Sequence, residues 1–239
     1  MSNSHFCQEQ EKKYFVFSDV AIDIFKKENI CHIFQDDLGW PLNTLHRFKM
    51  FSRIENLISS YDYLIFFNAN CVIEKKLKLE DIFPYEKGYT CCLHPGYFSK
   101  NKDVLPFEKR EKSTAYISDG EQYFAGGLIG GAGEQFIAAA KEMDRCIDED
   151  FSSGLMAKWH DESHWNRFIL AVRRYEDTPV NILDPGYLYP DGYVLPFEKK
   201  IRLRDKKKYI FLPAGKKYST SRMRSIVYSA KKYLRTFFR

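Results

Sequence analysis

Five consecutive apolar residues, Tyr63-Leu64-Ile65-Phe66-Phe67, run without a break into Asn68-Ala69-Asn70 in the stretch YDYLIFFNANCVIE. An apolar run this short, stopped by turn-tolerant residues, reads as a buried central strand. The pattern around it alternates. KKYFVFSDVAI reads as a strand ending in a polar turn at Ser18-Asp19, and HIFQDDLGWP as a shorter strand with a turn at Gly39-Trp40-Pro41. Leu45, Phe48, Phe51, Ile54, Leu57 and Ile58 recur every three or four positions and predict one amphipathic helix over 45–58. YTCCLHPGYF is a strand closed by a Pro-Gly turn. EQYFAGGLIGGAGEQF reads as a Gly-rich loop before a helix that begins near Gly133. SSGLMAKWHDESHWNRFILAV leads through a loop into a helix with Trp165, Phe168, Ile169 and Val172 on one face, and VNILDPGYLYPDGY is a strand and a turn. Strands alternating with helices predict an α/β fold, a Rossmann-like sheet flanked by helices, with chemistry on the loops at the strand ends.

The chain can fill such a core, because 44% of its 239 residues are hydrophobic. No apolar run approaches the roughly 20 residues of a membrane-spanning helix, and the N-terminus lacks the apolar centre of a signal peptide. The six cysteines show no metal-type spacing, and they read as reduced thiols in a cytoplasmic protein. The formal charge of +5 conceals an asymmetry. Residues 199–239 hold 15 Lys and Arg against one acid, Asp205, while the preceding 198 residues hold 22 basic against 31 acidic. The expected organisation is therefore a catalytic domain over 1–198 and a basic segment over 199–239, with an anionic partner for the latter. In residues 222–239, Met223, Ile226, Val227, Ala230, Tyr233, Leu234 and Phe237 fall at helical spacing among Lys and Arg. Either a helix packs there on the body, or a basic amphipathic helix makes peripheral contact with an anionic membrane at its inner face. Nothing in the body suggests nucleic-acid binding.

Several residues carry chemistry only in context. Asn-X-Asn is ordinarily a turn. In WHDESHWN, Asp161 and Ser163 taken alone are caps of the following helix, and Glu162 is a first-turn acid. His94 before Pro-Gly reads as a turn residue, Arg47 as an exposed helix cation, and KKIRLRDKKKY as a solvated basic run.

Together the stretches YDYLIFFNAN, HPGYF, STAYI, YFAGGLIGG and WHDESHWN, in this order, resemble glycosyltransferase family 6, over about Tyr14 to Lys208. The resemblance implies a GT-A-type fold. It also implies transfer of N-acetylgalactosamine or galactose from a UDP-sugar to a galactose 3-hydroxyl, with retention of configuration. Where GT-A enzymes carry a metal-binding Asp-X-Asp, this chain has Asn68 and Asn70, as in the bacterial branch whose activity needs no divalent metal. Neutral amide oxygens bind a hard dication far less well than carboxylates, so no metal and no other cofactor is expected. Cations from the basic segment, Arg204 and Lys206 or close neighbours, would then offset the departing diphosphate. Each is worth roughly 4 kcal/mol at 4 Å and an effective dielectric near 20.

By the same resemblance Glu162 is the catalytic carboxylate, acting as a nucleophile or as an electrostatic stabiliser while the acceptor attacks from the front. Asp161 contacts hydroxyls of the transferred sugar, and Arg47 lies near it. Trp159, His160 and His94 lie toward the acceptor, a galactoside with or without fucose. Ala125-Gly126-Gly127 aligns with the run that sets donor choice, and Gly127 leaves room for a 2-acetamido group. Two departures stand out. One strand and helix that the family places before Tyr14 find no match in Met1–Lys13, which removes contacts to uracil and ribose; a non-catalytic sugar- or membrane-binding remnant is the alternative this raises. LPFEKR with Pro106 replaces a hydroxyl-bearing segment near the acceptor.

Overall fold

The computed structural model describes residues 5–20 and 27–209, so the segment 222–239 lies outside the described residues. The described residues divide into two compact units, one within residues 8–45 and the other made of residues 5–7 with 46–209.

In the first of these, β1 (Tyr14–Ser18) and β2 (Ile30–Phe34) pair in parallel, Tyr14 opposite Ile30 and Ser18 opposite Phe34. The expected turn at Gly39-Trp40-Pro41 is present, with a cis Trp40–Pro41 bond and Gly39 at positive φ. The Asp37 side chain accepts from the Gly39 N–H and from the Asn43 amide, 2.9 and 2.6 Å, which leads the chain into α1 (Leu42–Leu45).

The larger unit is a mixed α/β body. It runs through α2 (Arg47–Ser52), α3 (Glu55–Ile58), β3 (Tyr63–Phe67), β4 (Cys71–Ile73), α4 (Leu79–Ile82) and β5 (Tyr89–Leu93). There follow β6 (Phe124–Ala132), α5 (Gly133–Ser152), α6 (Asp161–Tyr175), β7 (Val180–Leu183), β8 (Tyr189–Pro190), β9 (Ile201–Leu203) and α7 (Lys206–Tyr209). One sheet has the order β3-β6-β5-β7, antiparallel except for the β5–β7 pair. A smaller one has the order β4-β9-β8. Between them packs a core of Ile73, Leu77, Ile82, Leu128, Leu183, Leu188 and Ile201. Full burial of such side chains stabilises by about 1.5–3 kcal/mol each. The described N-terminal residues join this core: Phe6 meets the Phe67 ring edge-on at 5.4 Å, and the Cys7 N–H donates to the Leu77 carbonyl at 2.8 Å.

Three expectations are corrected. The periodicity over 45–58 does not make one helix, because the backbone leaves helical geometry at His46 and Ile54. There the N–H groups of Ile54 and Leu57 bond three residues back, to Phe51 and Ile54, and the tightened turns leave Leu57 exposed while Phe48, Phe51, Ile54 and Ile58 are buried. β3 is not central to its sheet but stands at one end of it. The central place belongs to β6, whose glycines read as a loop. They act instead by close approach: a Cβ on Gly130 would lie 2.8 Å from the Leu64 carbonyl oxygen of β3. The start of α5 at Gly133 and the apolar face of α6, with Trp165, Ile169 and Val172 buried, agree with the sequence reading.

Candidate active site

The central strand breaks its ladder at one point. On β5, Cys91 faces Ile129 but the next residue, Cys92, faces Ala125, so residues 126–128 of β6 bulge away from β5. On the other side, β6 still pairs with β3 through Leu128 and Phe67, and the Asn68 N–H donates to the Gly127 carbonyl at 3.0 Å. The bulge releases both polar groups of Gly126 from the β5 pairing. They do not stay unpaired. The Gly126 N–H donates to Glu162 Oε2 at 2.7 Å, and its carbonyl accepts from Arg47 Nη1.

Glu162 comes from the first turn of α6. The chain enters this helix through His160, a non-glycine residue with φ 53° and ψ −127°. Such a backbone costs on the order of 1–3 kcal/mol and persists only where its surroundings enforce it. Trp159 is held by its N–H on Ser163 Oγ at 3.0 Å, and the Glu162 N–H donates to the Trp159 carbonyl at 3.0 Å. Ser163 therefore fixes the entry to the helix, but neither it nor Asp161 is the cap: the N-cap is His160, which makes no side-chain cap bond.

Both carboxylates of this turn are engaged. Glu162 Oε1 accepts from the Tyr123 hydroxyl at 2.8 Å. Asp161 Oδ2 pairs with Arg47 Nη1 at 2.8 Å, while its Oδ1 is buried without a partner. Burial raises the Asp161 carboxyl to about 7 against the pull of Arg47, and burial likewise raises Glu162 against its bonds to Gly126 and Tyr123. Arg47 is no exposed cation: its guanidinium stacks 4.1 Å from the ring centroid of Phe66, on the strand that leads to Asn68.

The two asparagines divide their work. A Cβ on Gly127 would lie 2.9 Å from Asn68 Nδ2, so the absence of a side chain at 127 is what lets the Asn68 amide reach the bulge. Asn70 is tied to the basic segment. Its Nδ2 donates to the Arg204 carbonyl at 2.5 Å, the Arg204 N–H donates to the Asn70 carbonyl at 3.0 Å, and Asn70 Oδ1 is left buried without a partner. These bonds continue the β4–β9 ladder. Lys206 follows at the start of α7, its ammonium lowered by burial and then by the positive charge of Arg47. Among the described residues, no group of three or more His, Cys, Asp and Glu is placed to hold a metal ion.

On the other flank His94 packs against Tyr97 and Tyr123, ring centroids 4.8 and 5.8 Å away. Its Nδ1 accepts from the Gly96 N–H at 3.0 Å, and burial lowers the imidazole to about 4. The ring is therefore neutral near pH 7 with its proton on Nε2. Trp159 is 41% exposed and His160 is buried. Arg47, Gly126, Asp161 and Glu162 are thus brought into direct contact, and Asn68 adjoins them through Gly127. Ala125 stands apart, buried in the core with Cys92 and Leu183.

Two residues inside the quoted motifs escaped the sequence reading. Tyr123 holds Glu162. Asn166, fully buried, accepts from the Phe124 N–H and donates to the Phe124 and Glu162 carbonyls, each at 2.8 Å, clamping β6 to α6. The signal for Asn166 was its spacing, one helical turn beyond Glu162.

Known proteins resemble this chain over most of its length. The family model described as Glycosyltransferase family 6 matches residues 2–210. The O-antigen biosynthesis glycosyltransferase WbnI of Escherichia coli is 32% identical over 206 residues, 85% of either chain. Histo-blood group ABO system transferase 1 of Rattus norvegicus is 26% identical over 79% of this chain and 54% of its own length. Globoside alpha-1,3-N-acetylgalactosaminyltransferase 1 of Gallus gallus is 27% identical over 81% of this chain. The match spans 57% of that relative, so this chain covers just over half the length of the two vertebrate proteins.

Proposed function

The chain belongs to glycosyltransferase family 6, a glycosyltransferase of mixed α/β, GT-A-type architecture, and from that premise we propose its reaction. It moves N-acetylgalactosamine, with galactose as second choice, from UDP to the 3-hydroxyl of a galactoside, retaining anomeric configuration and without a divalent metal. The product is a surface glycan. The similarity to an O-antigen biosynthesis glycosyltransferase and to an alpha-1,3-N-acetylgalactosaminyltransferase supports the class of product and donor.

The observation that carries the reading is the Glu162 carboxylate, held at both oxygens by Tyr123 and the Gly126 N–H. A carboxylate fixed in this way is suited to face an anomeric carbon, as nucleophile or as a fixed negative charge beside an oxocarbenium-like state. Asp161 Oδ1 is a buried acceptor with no partner, which suits a hydroxyl of the transferred sugar. The neutral His94 with its proton on Nε2 suits an acceptor oxygen, and exposed Trp159 offers a face to sugar C–H groups.

For the metal-free step, the support is the bonding of Asn70 to Arg204 and the closeness of Lys206 to Arg47. Two carboxamides, one committed to the backbone, make a poor site for a hard dication. A lysine lowered by burial and by a neighbouring guanidinium, as Lys206 is beside Arg47, makes a good partner for a diphosphate. In this reading the first part of the basic segment, around Arg204 and Lys206, belongs to the donor site.

The test is glycoside formation by the purified chain from UDP-N-acetylgalactosamine and fucosylated lactose, with and without EDTA. Turnover unchanged by EDTA is expected. Absence of turnover with any UDP-hexose rejects the reaction, and loss of turnover on chelation rejects the metal-free step. A calorimetric titration with UDP separates an enzyme from a remnant, which would release no heat.

A further inference from the structure

We propose that Tyr123 is a positioning residue that keeps the Glu162 carboxylate ionised and aimed, and that ties it to the acceptor flank through His94. This rests on the reading of Glu162 given above, and extends it to a residue outside the reacting groups. Tyr123 sits between two parts of the site. Its hydroxyl donates to Glu162 Oε1 at 2.8 Å, and its carbonyl accepts from the His94 N–H at 2.9 Å. Its ring packs on His94, Tyr97 and Phe107, with centroids 5.8, 5.6 and 5.5 Å away. It is 2% exposed, and with Leu105, Phe107 and Ile117 it forms a small cluster of its own. A side chain fixed on so many sides cannot swing away from the carboxylate without disturbing the wall under His94.

The groups around Glu162 explain why this hydroxyl matters. Arg47 of α2 reaches the same corner but pairs with Asp161 and the Gly126 carbonyl rather than with Glu162. Asp161, its neighbour on α6, is a like charge, and His160 precedes both as a buried imidazole. Lys206 of α7 lies near Arg47, and Tyr97 stands behind Tyr123. From β6 comes only the Gly126 N–H. The hydrogen bonds to the Glu162 charge therefore come from two neutral donors, Gly126 and Tyr123, with a smaller attraction from the Arg47 cation beside them, and losing one donor favours the protonated acid. Burial and then the Glu162 charge push the Tyr123 phenol far above its usual value, so it remains a donor throughout the working range.

Tyr123→Phe removes one oxygen and keeps the ring contacts, so its melting curve should stay close to the parent's. The deciding measurement is a carbon-13 NMR titration of protein labelled at the glutamate carboxyl, with the Glu162 signal identified by its loss in Glu162→Gln. The Glu162 midpoint is expected to move to higher pH in Tyr123→Phe, and an unchanged midpoint overturns the proposal. In the transfer assay, the acid limb of kcat should move the same way and kcat should fall roughly ten-fold, the worth of one hydrogen bond to a charge. The acceptor KM should move less. A fall in kcat with the acid limb fixed counts against the proposal. Because the NMR titration needs no turnover, an inactive parent enzyme would strike the reaction assigned above without touching this inference.

Discussion

Arg47 Nη1 serves two acceptors at once, the Gly126 carbonyl and Asp161 Oδ2, and so links the bulged strand to the first turn of α6. Around this point single atoms decide what fits. A Cβ on Gly127 would meet Asn68 Nδ2 at 2.9 Å before reaching the Leu188 methyls at 3.4 and 3.5 Å. The donor-choice position and the asparagine motif are therefore in contact, and a methyl at 127 acts partly by displacing the Asn68 amide. Gly127→Ala should lower kcat/KM for UDP-N-acetylgalactosamine by roughly ten-fold in the parent, about the worth of one misplaced hydrogen bond. It should lower it clearly less in an Asn68→Ser background, where the amide is gone. Additive effects in a double-mutant cycle would show that the methyl acts on the sugar alone. Lys206 provides a second test at this scale. Lys206→Ala should weaken UDP binding roughly ten-fold and flatten its dependence on salt, as measured by calorimetry at two ionic strengths.

At the scale of elements, the site is the junction of β6 with α6, and Asn166 is its fastener. Its carboxamide satisfies the Phe124 peptide on both sides and also bonds the carbonyl of Glu162. Asn166→Ala would leave these buried groups unpaired, costing about 1–3 kcal/mol for the first and more for the rest. Loss of several degrees in melting temperature, together with a fall in kcat, is the expected outcome. An unchanged melt would mean the clamp is dispensable. The junction also shows what could be read from the sequence. β3, β5 and β7 announce themselves by apolar runs, and α6 by the spacing of Trp165, Ile169 and Val172. β6 does not, because its four glycines from 126 to 131 carry no side-chain pattern; what recommends Gly130 and Gly131 is backbone that passes within 3 Å, and what recommends Gly126 and Gly127 is the side chains of Glu162 and Asn68, all of which belong to other segments. For the same reason Glu162 and Arg47 were found through motif resemblance, whereas Tyr123 and Asn166 were missed. Their roles are hydrogen bonds to residues 39 and 42 positions away in the chain.

For the molecule as a whole, the buried acids set how stability follows pH. Asp161 is raised from 3.8 to about 7, so the folded protein holds its proton more tightly than the unfolded chain does. That stabilisation is complete below about pH 4 and is lost as pH rises toward 7. Asp161→Asn removes this contribution. The stability difference between parent and variant, measured by denaturant melts, should therefore shift against the parent as pH rises from 4 to 7. A constant difference would mean that folding leaves the Asp161 carboxyl unshifted. No helix among the described residues is long and apolar enough to cross a membrane. The offset between Cys91 and Cys92 has a consequence for any attempt to make this protein sturdier. Restoring regular pairing there would return the Gly126 amide to Cys91 and Cys92 as neighbours, and Glu162 and Arg47 would lose their anchor in the same stroke. A variant selected only for heat resistance could thus become a tougher scaffold with a disarmed centre, and screens of this enzyme should score turnover alongside melting.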